Sequence, residues 1–313
     1  MDVIETCDLT KHYGPHRAVA SLDLAVRQGE TYGFLGPNGS GKTTTIRMLT
    51  GVLRPSSGHA RVAGHDVQSE SGALRARVGL LPESTGVYPW MTPVEYLRFF
   101  ADLYGMTRGD AEARIWALLR WVGLADRMAT RIATFSRGMR ARLAMARALV
   151  HRPQVVFLDE PTLGLDPVGQ QDILALIQRA NREEGMTVFL SSHALDQIGQ
   201  VCTRVGILNE GRLIAQGTAP ELSRRLGLRH TVRLTVSDAG RAQRVIETLE
   251  RSSDASVRDA EHLVLTPTDG ELPTDVVLRA LVHANISVRE LVVTTPTLGD
   301  VFLALVSRER TAA

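Results

Sequence analysis

The chain has 313 residues, a net charge of +2, 44% hydrophobic residues and two distant cysteines, Cys7 and Cys202. That length can bury a substantial core and suggests two domains, or one large domain with an appendage, while the weak charge argues against a dedicated nucleic-acid binder. The cysteines lack metal-type spacing, nothing at the start reads as a signal peptide, and no apolar run approaches the roughly 20 residues of a membrane span. A reducing, cytosolic compartment is therefore expected, with any membrane role exercised through a partner. Of the 36 basic residues only Lys11 and Lys42 are lysines, which makes each of them worth a question.

Residues 31–51, TYGFLGPNGSGKTTTIRMLTG, read as a short apolar strand, a Gly-rich turn and a helix. Gly36, four intervening residues, then Gly41, Lys42 and Thr43 fit the G-x-x-x-x-G-K-[ST] phosphate loop in its strand-to-helix context. Glycines 36, 39 and 41 let the backbone wrap closely with its N–H groups inward, and the helix N-terminus favours an anion. Polyphosphate is the expected occupant, with contacts from Pro37, Asn38, Gly39 and Ser40 through Thr44. Lys42 threads a compact ammonium between β- and γ-phosphates, where a planar guanidinium is bulkier, and Thr43 offers its hydroxyl to Mg²⁺.

Further on, TPVEYLRFFADLYG and DAEARIWALLRWVGL show apolar residues at helical i, i+3, i+4 spacing. FSRGMRARLAMARALV, residues 135–150, opens on Ser136 as a helix cap, with Gly138 letting backbone N–H groups approach a ligand. Met139, Leu143, Ala146 and Val150 recur at helical spacing and are expected on the core, which leaves Arg140, Arg142 and Arg147 largely outside it.

PQVVFLDEPTLGLD, residues 153–166, is a continuous apolar run ending in Asp159 and Glu160, as suits a strand buried in a parallel sheet. The C-terminal ends of such strands open where ligands bind, so both acids are expected to face the nucleotide. Asp159 is the expected Mg²⁺ partner, through water, and Glu160 orients and deprotonates the attacking water. Taken alone, such a pair is as readily a turn or helix cap. TVFLSSH ends in His193, which reaches a γ-phosphate or that water only if its strand lies beside the Asp159 strand. The first unit ends near residue 221. Residues 230–293 then alternate strand, helix (Arg241 to Arg251), two strands, helix (Pro273 to Ala284) and strand, a β-α-β-β-α-β order that suggests a ferredoxin-like unit.

In the order phosphate loop, FSRGM, LDEP, LGLD, SSH, these stretches resemble the nucleotide-binding cassette of ABC transporters over about residues 3–218. The resemblance implies an α/β P-loop NTPase cassette over 1–221. Its parts are a RecA-like parallel sheet core, an N-terminal antiparallel β-subdomain and a helical signature subdomain at about 84–150, with a small α+β domain following over 222–313. It also implies an ATPase that uses ATP and Mg²⁺ and works as a cassette homodimer with a separate transmembrane permease. Its place is then the cytoplasmic face of the plasma membrane, and no nucleic acid is involved. Glu160, His193 and Lys42 would carry the chemistry, with Thr43, Glu83 and Asp159 around the metal.

FSRGM resembles the signature motif, which closes on the ATP of a second cassette, Ser136 and Gly138 meeting its γ-phosphate. It departs from L-S-G-G-Q at Phe135, Arg137 and Met139; Arg137 either adds charge to that contact or points at solvent. Tyr13 in KHYG resembles the aromatic that stacks on adenine, and Asp166 in LGLD the loop that links the two sites. Glu83 in LLPES stands where many members have a metal-sensing Gln. Tyr88, Pro89 and Trp90 form an aromatic patch suited to a permease's coupling helix. TPTLGDVFLAL resembles the end of exporter-type cassettes of the drug-resistance group. The alternative, a soluble ABC-type switch acting on ribosomes or DNA, sits less well with one cassette and no sustained heptad.

Overall fold

Two long strands open the chain, β1 (Asp2–Tyr13) and β2 (His16–Arg27), paired antiparallel across a turn in which Gly14 takes φ 57°. Alternate residues Leu22, Leu24 and Val26 turn inward while Asp23, Ala25 and Arg27 face out, the period of a sheet with one covered face. The next strand, β3 (Thr31–Leu35), is buried at every residue, as a central strand of a parallel sheet must be. It leads through the Gly-rich loop into α1 (Lys42–Leu49). Strands β4 (Ser57–Val62) and β5 (His65–Asp66) return to the first sheet, whose order is β2-β1-β4-β5. A computed structural model supplies this architecture and describes residues 1–249, 253–267 and 274–312.

After α2 (Ser71–Arg75) and β6 (Val78–Leu81) come three helices: α3 (Pro93–Leu103), α4 (Arg108–Trp121) and α5 (Arg137–Leu149). Thr92 and Glu95 form a reciprocal capping box ahead of Pro93 at the start of α3, and Thr107 caps α4. Strand β7 (Val155–Asp159), α6 (Pro167–Glu184), β8 (Thr187–Ser192), the short α7 (Leu195–Ile198), β9 (Arg204–Asn209) and β10 (Arg212–Gly217) then complete the central sheet. Its order is β10-β9-β3-β8-β7-β6, parallel throughout except for the β9–β10 hairpin. Phe189 of β8 packs against Tyr32, Phe34 and Phe157 at ring centroids of 5.6, 5.3 and 5.4 Å. This fully buried cluster locks β3, β7 and β8 side by side, and their C-terminal ends carry the site.

A second unit, Ala219–Ala313, follows Met1–Thr218. It contains α8 (Ala219–Leu226), β11 (Thr231–Val236), α9 (Ala239–Glu247), β12 (Ser253–Val257), β13 (His262–Pro267), α10 (Thr274–His283), β14 (Val288–Thr294) and α11 (Leu298–Ala312). Its antiparallel sheet runs β12-β13-β11-β14, the arrangement of a ferredoxin-like unit, with Val232, Leu234 and Val236 facing α9 and α10 over one small core. The break precedes residue 221 because α8 packs on α11. Arg251 and Pro273, expected at helix ends, lie outside the described residues.

One joint in the first unit titrates. His151, between α5 and β7, stacks on Tyr104 at a centroid distance of 3.6 Å, and its Nε2–H donates to the Val78 carbonyl at 3.0 Å. Burial pushes the His151 pKa from 6.5 to about 4, so the folded chain keeps the ring neutral where the unfolded chain protonates. Stability is therefore complete above pH 6.5 and is lost as pH falls toward 4, by about 2 kcal/mol at pH 5. Urea midpoints at pH 8 and pH 5 check this: the difference between them shrinks in His151→Gln, whatever that variant's absolute stability.

Candidate nucleotide site

The loop between β3 and α1 owes its shape to two close approaches. A Cβ on Gly36 would run into the Leu208 carbonyl of β9, and one on Gly41, which sits at φ 107°, would strike the Ala18 carbonyl. Neither position admits a side chain. Lys42, 5% exposed, turns its Nζ back into the loop, donating to the carbonyls of Gly36 at 2.8 Å and Pro37 at 3.2 Å and lying 3.4 Å from Glu160 Oε1. Three oxygens thus surround the ammonium in the manner of phosphate oxygens. Ser40, beside it, buries a hydroxyl with no hydrogen-bond partner among the described residues.

A cavity of ≈490 Å³ opens over this loop. Tyr13 from the end of β1, then Asn38, Gly39, Gly41, Lys42, Thr43 and Thr44 of the loop line it, and Glu83, Glu160 and His193 come in from three other segments. Residues from widely separated parts of the chain thus come together here, while Gly36, Pro37, Ser40 and Asp159, also expected to meet the nucleotide, do not line the cavity. His16, opposite Tyr13 in the first hairpin, and Ala18 also line it, and no motif signalled either.

The two acids stand as their strand dictates. Strands β7 and β8 are parallel neighbours with Asp159 in register with Ser191, which meets the condition set for His193. Asp159 Oδ1 accepts from Ser191 Oγ at 2.6 Å and from Thr43 Oγ1 at 3.2 Å. Ser191 escaped the sequence reading because its role depends on strand register, which no local pattern reports. Glu160 takes φ 49°, a left-handed conformation uncommon outside glycine, and its N–H donates to the Ser191 carbonyl at 3.2 Å. That turn aims its carboxylate into the cavity, where Oε2 lies 2.9 Å from His193 Nδ1.

Ser136 and Gly138 lie elsewhere. Ser136 caps α5 and accepts from the Met139 N–H at 3.2 Å, while Leu143, Ala146 and Val150 are fully buried. A Cβ added to Gly138 would meet nothing within 4 Å, so no packing inside the chain explains the glycine. With Asp166, these residues line a second cavity of ≈500 Å³, and none of the three lines the first. Asp166 itself caps α6, accepting from the Gly169 N–H at 3.3 Å with Pro167 behind it. That Asp-Pro start was legible as a helix cap. Arg137 lays its guanidinium against Gly164 and lines both the cavity of Ser136 and Gly138 and a further one with Glu83 and Asp159.

The basic face of α5, which its spacing leaves largely outside the core, is not free in solvent. Arg147 is half-buried and donates to the carbonyls of Leu80 and Thr85 and to the Tyr96 hydroxyl, at 3.1, 3.1 and 3.2 Å. Arg140 and Arg142 reach the carbonyls of Ala133 and Val122. Irregular segments and helix ends leave carbonyls unpaired, and long basic side chains satisfy them. In the aromatic patch, Tyr88 packs on Trp90, Tyr96 and Phe99 at 5.4, 5.9 and 5.9 Å, while Trp90 remains 64% exposed.

A phosphate loop at the edge of a parallel sheet, facing an acid pair and a histidine from adjacent strands, defines a P-loop nucleoside triphosphatase. The ABC transporter family matches residues 19–163. The chain is 35% identical over 309 residues to the linearmycin resistance ATP-binding protein LnrL of Bacillus subtilis (strain 168), covering 98% of this chain and 99% of that one. It is 38% identical over 310 residues to the daunorubicin/doxorubicin resistance ATP-binding protein DrrA of Streptomyces peucetius, covering 96% and 92% respectively. A solved ATP-binding subunit of an ABC transporter superposes with a TM-score of 0.65 and 32% identity, over 72% of this chain and 94% of that one. The chain belongs to the ABC transporter family, as an ATP-binding, ATP-hydrolysing subunit.

Proposed function

We propose that two copies of this chain close on two ATP molecules, Ser136 and Gly138 of one copy completing the site built on the phosphate loop of the other. The separation of these residues into two cavities within one chain carries the reading. The α5 N-terminus, with a glycine that nothing in its own chain requires, is a surface prepared for an anion held by something else. Tyr13 stacks on the adenine, and Lys42 exchanges its three oxygens for those of the β- and γ-phosphates.

The oxygens of Thr43 and Asp159, 3.2 Å apart, with Glu83 sharing one cavity with Thr43 and a neighbouring one with Asp159, form a donor set suited to Mg²⁺. When bound, that ion neutralises charge on the phosphates. Glu160, released from Lys42, accepts the proton of the attacking water, and His193 holds its second oxygen in place.

No described helix is long and apolar enough to cross a membrane, and the named relatives are resistance proteins matched over almost their full lengths. This supports work at the cytoplasmic face of the plasma membrane, powering a separate permease that exports antibiotic-like compounds. Affinity purification of the full chain from detergent-solubilised membranes of its own cells tests this. Recovery of a multi-span membrane protein in fixed ratio is the expected result, and recovery of ribosomes or DNA without one overturns it.

A further inference from the structure

Of the chain's two lysines, Lys42 belongs to the phosphate loop and Lys11 has had no part so far. Lys11 lies two residues before Tyr13 on β1, so the two side chains share one face of the strand. Its Nζ is 5.5 Å from the Tyr13 ring centroid, within cation–π range, and donates to the Arg54 carbonyl at 2.7 Å. Arg54 stands in the turn that leaves α1, whose opposite end forms the phosphate loop. Lys11 therefore ties the ring at one end of the nucleotide cavity to the element that builds the other, without lining the cavity itself.

The ring needs such a tie. Tyr13 is 47% exposed at the last residue of its strand, with little packing to set its angle. A compact ammonium can approach the ring and bond one carbonyl at the same time. A guanidinium is longer and planar, and its preference for stacking would cover the ring surface that a base must use. This gives a physical reason for the second lysine in a chain that otherwise uses arginine.

We propose that Lys11 is a positioning residue for the base end of the site, holding the Tyr13 ring at a fixed distance from the phosphate loop so that it meets a purine base. The proposal rests on the reading of Tyr13 as the base-stacking residue. Removing the amine leaves the local backbone secured, because the His12 N–H still donates to Ser56 Oγ at 3.0 Å and the Ser56 N–H to the Thr10 carbonyl at 2.8 Å.

Calorimetric titration of the full chain with ATP and with inorganic tripolyphosphate separates base from phosphate. Lys11→Met weakens ATP binding by about two- to five-fold, the range of an exposed cation–π contact, and leaves tripolyphosphate binding unchanged. Lys11→Arg does not restore the affinity, and Lys11→Met adds nothing in a Tyr13→Ala background. Equal weakening of both ligands, no weakening of either, full rescue by arginine, or additive effects in the double variant would each overturn the role of Lys11. Native ATP affinity in Tyr13→Ala alone would instead overturn the stacking reading on which it rests.

Discussion

Glu160→Gln retains ATP affinity while hydrolysis falls on the order of 10²- to 10⁴-fold, the range a positioned general base supplies. The amide keeps the volume of the side chain and an oxygen for His193 Nδ1, now 2.9 Å from Glu160 Oε2, but it cannot take a proton. It also removes the negative charge 3.4 Å from Lys42 Nζ, leaving that ammonium freer for phosphate. Binding and chemistry therefore separate in one variant. On the proposed cycle, in which the closed pair reopens only after hydrolysis, light scattering should show Glu160→Gln as a dimer in ATP and a monomer in ADP. Undiminished turnover would remove Glu160 from the role of base.

Gly138→Asp separates stability from activity in the opposite sense. The position lies in the first turn of α5, where a carboxylate complements the helix dipole and any residue better than glycine helps the helix, together about 0.5–1 kcal/mol. The added atoms enter open space in the isolated chain. Facing the γ-phosphate of a second copy, the same carboxylate meets like charge at contact distance, and hydrolysis should fall at least about 100-fold, the loss typical of removing one oxyanion donor. Unfolding midpoint and ATPase rate, measured on one preparation, check both halves. Wild-type hydrolysis, or a collapsed fold, would contradict the account.

Much of the site was legible because Glu160 and Gly138 stand in short stretches whose chemistry is local. Gly36 through Thr44 announce a phosphate loop because each residue's role is set by its immediate neighbours along the backbone. The run Val155–Asp159 announces a doubly covered strand because every residue in it is apolar up to the acid. The β-α-β-β-α-β order of the second unit was readable for the same reason, from periodicity that switches between strand and helix.

What escaped depends on pairing across the fold. Ser191 bonds Asp159 only because β7 and β8 run in register, and His16 reaches the cavity only because it faces Tyr13 across a hairpin. The helical wheel correctly put Leu143, Ala146 and Val150 inside, but Met139, expected with them, is only half-buried, and the wheel left Arg147 outside the core, since periodicity identifies a face without saying what covers it. Arg137 was left between two directions, and it took neither in full. Its guanidinium lies over Gly164 of its own chain, a contact that follows from the turn at that glycine, φ 66°, and from nothing in the signature itself.

On the proposed function a single copy holds nucleotide without being able to complete hydrolysis, since Ser136 and Gly138 line a cavity apart from the phosphate loop of their own chain. Initial ATPase rate per molecule, followed over serial dilution of the full chain at saturating ATP, tests it directly. The rate per molecule should fall with dilution and become proportional to protein concentration below the pairing constant. A rate per molecule that stays constant down to concentrations at which only monomer is present would contradict it.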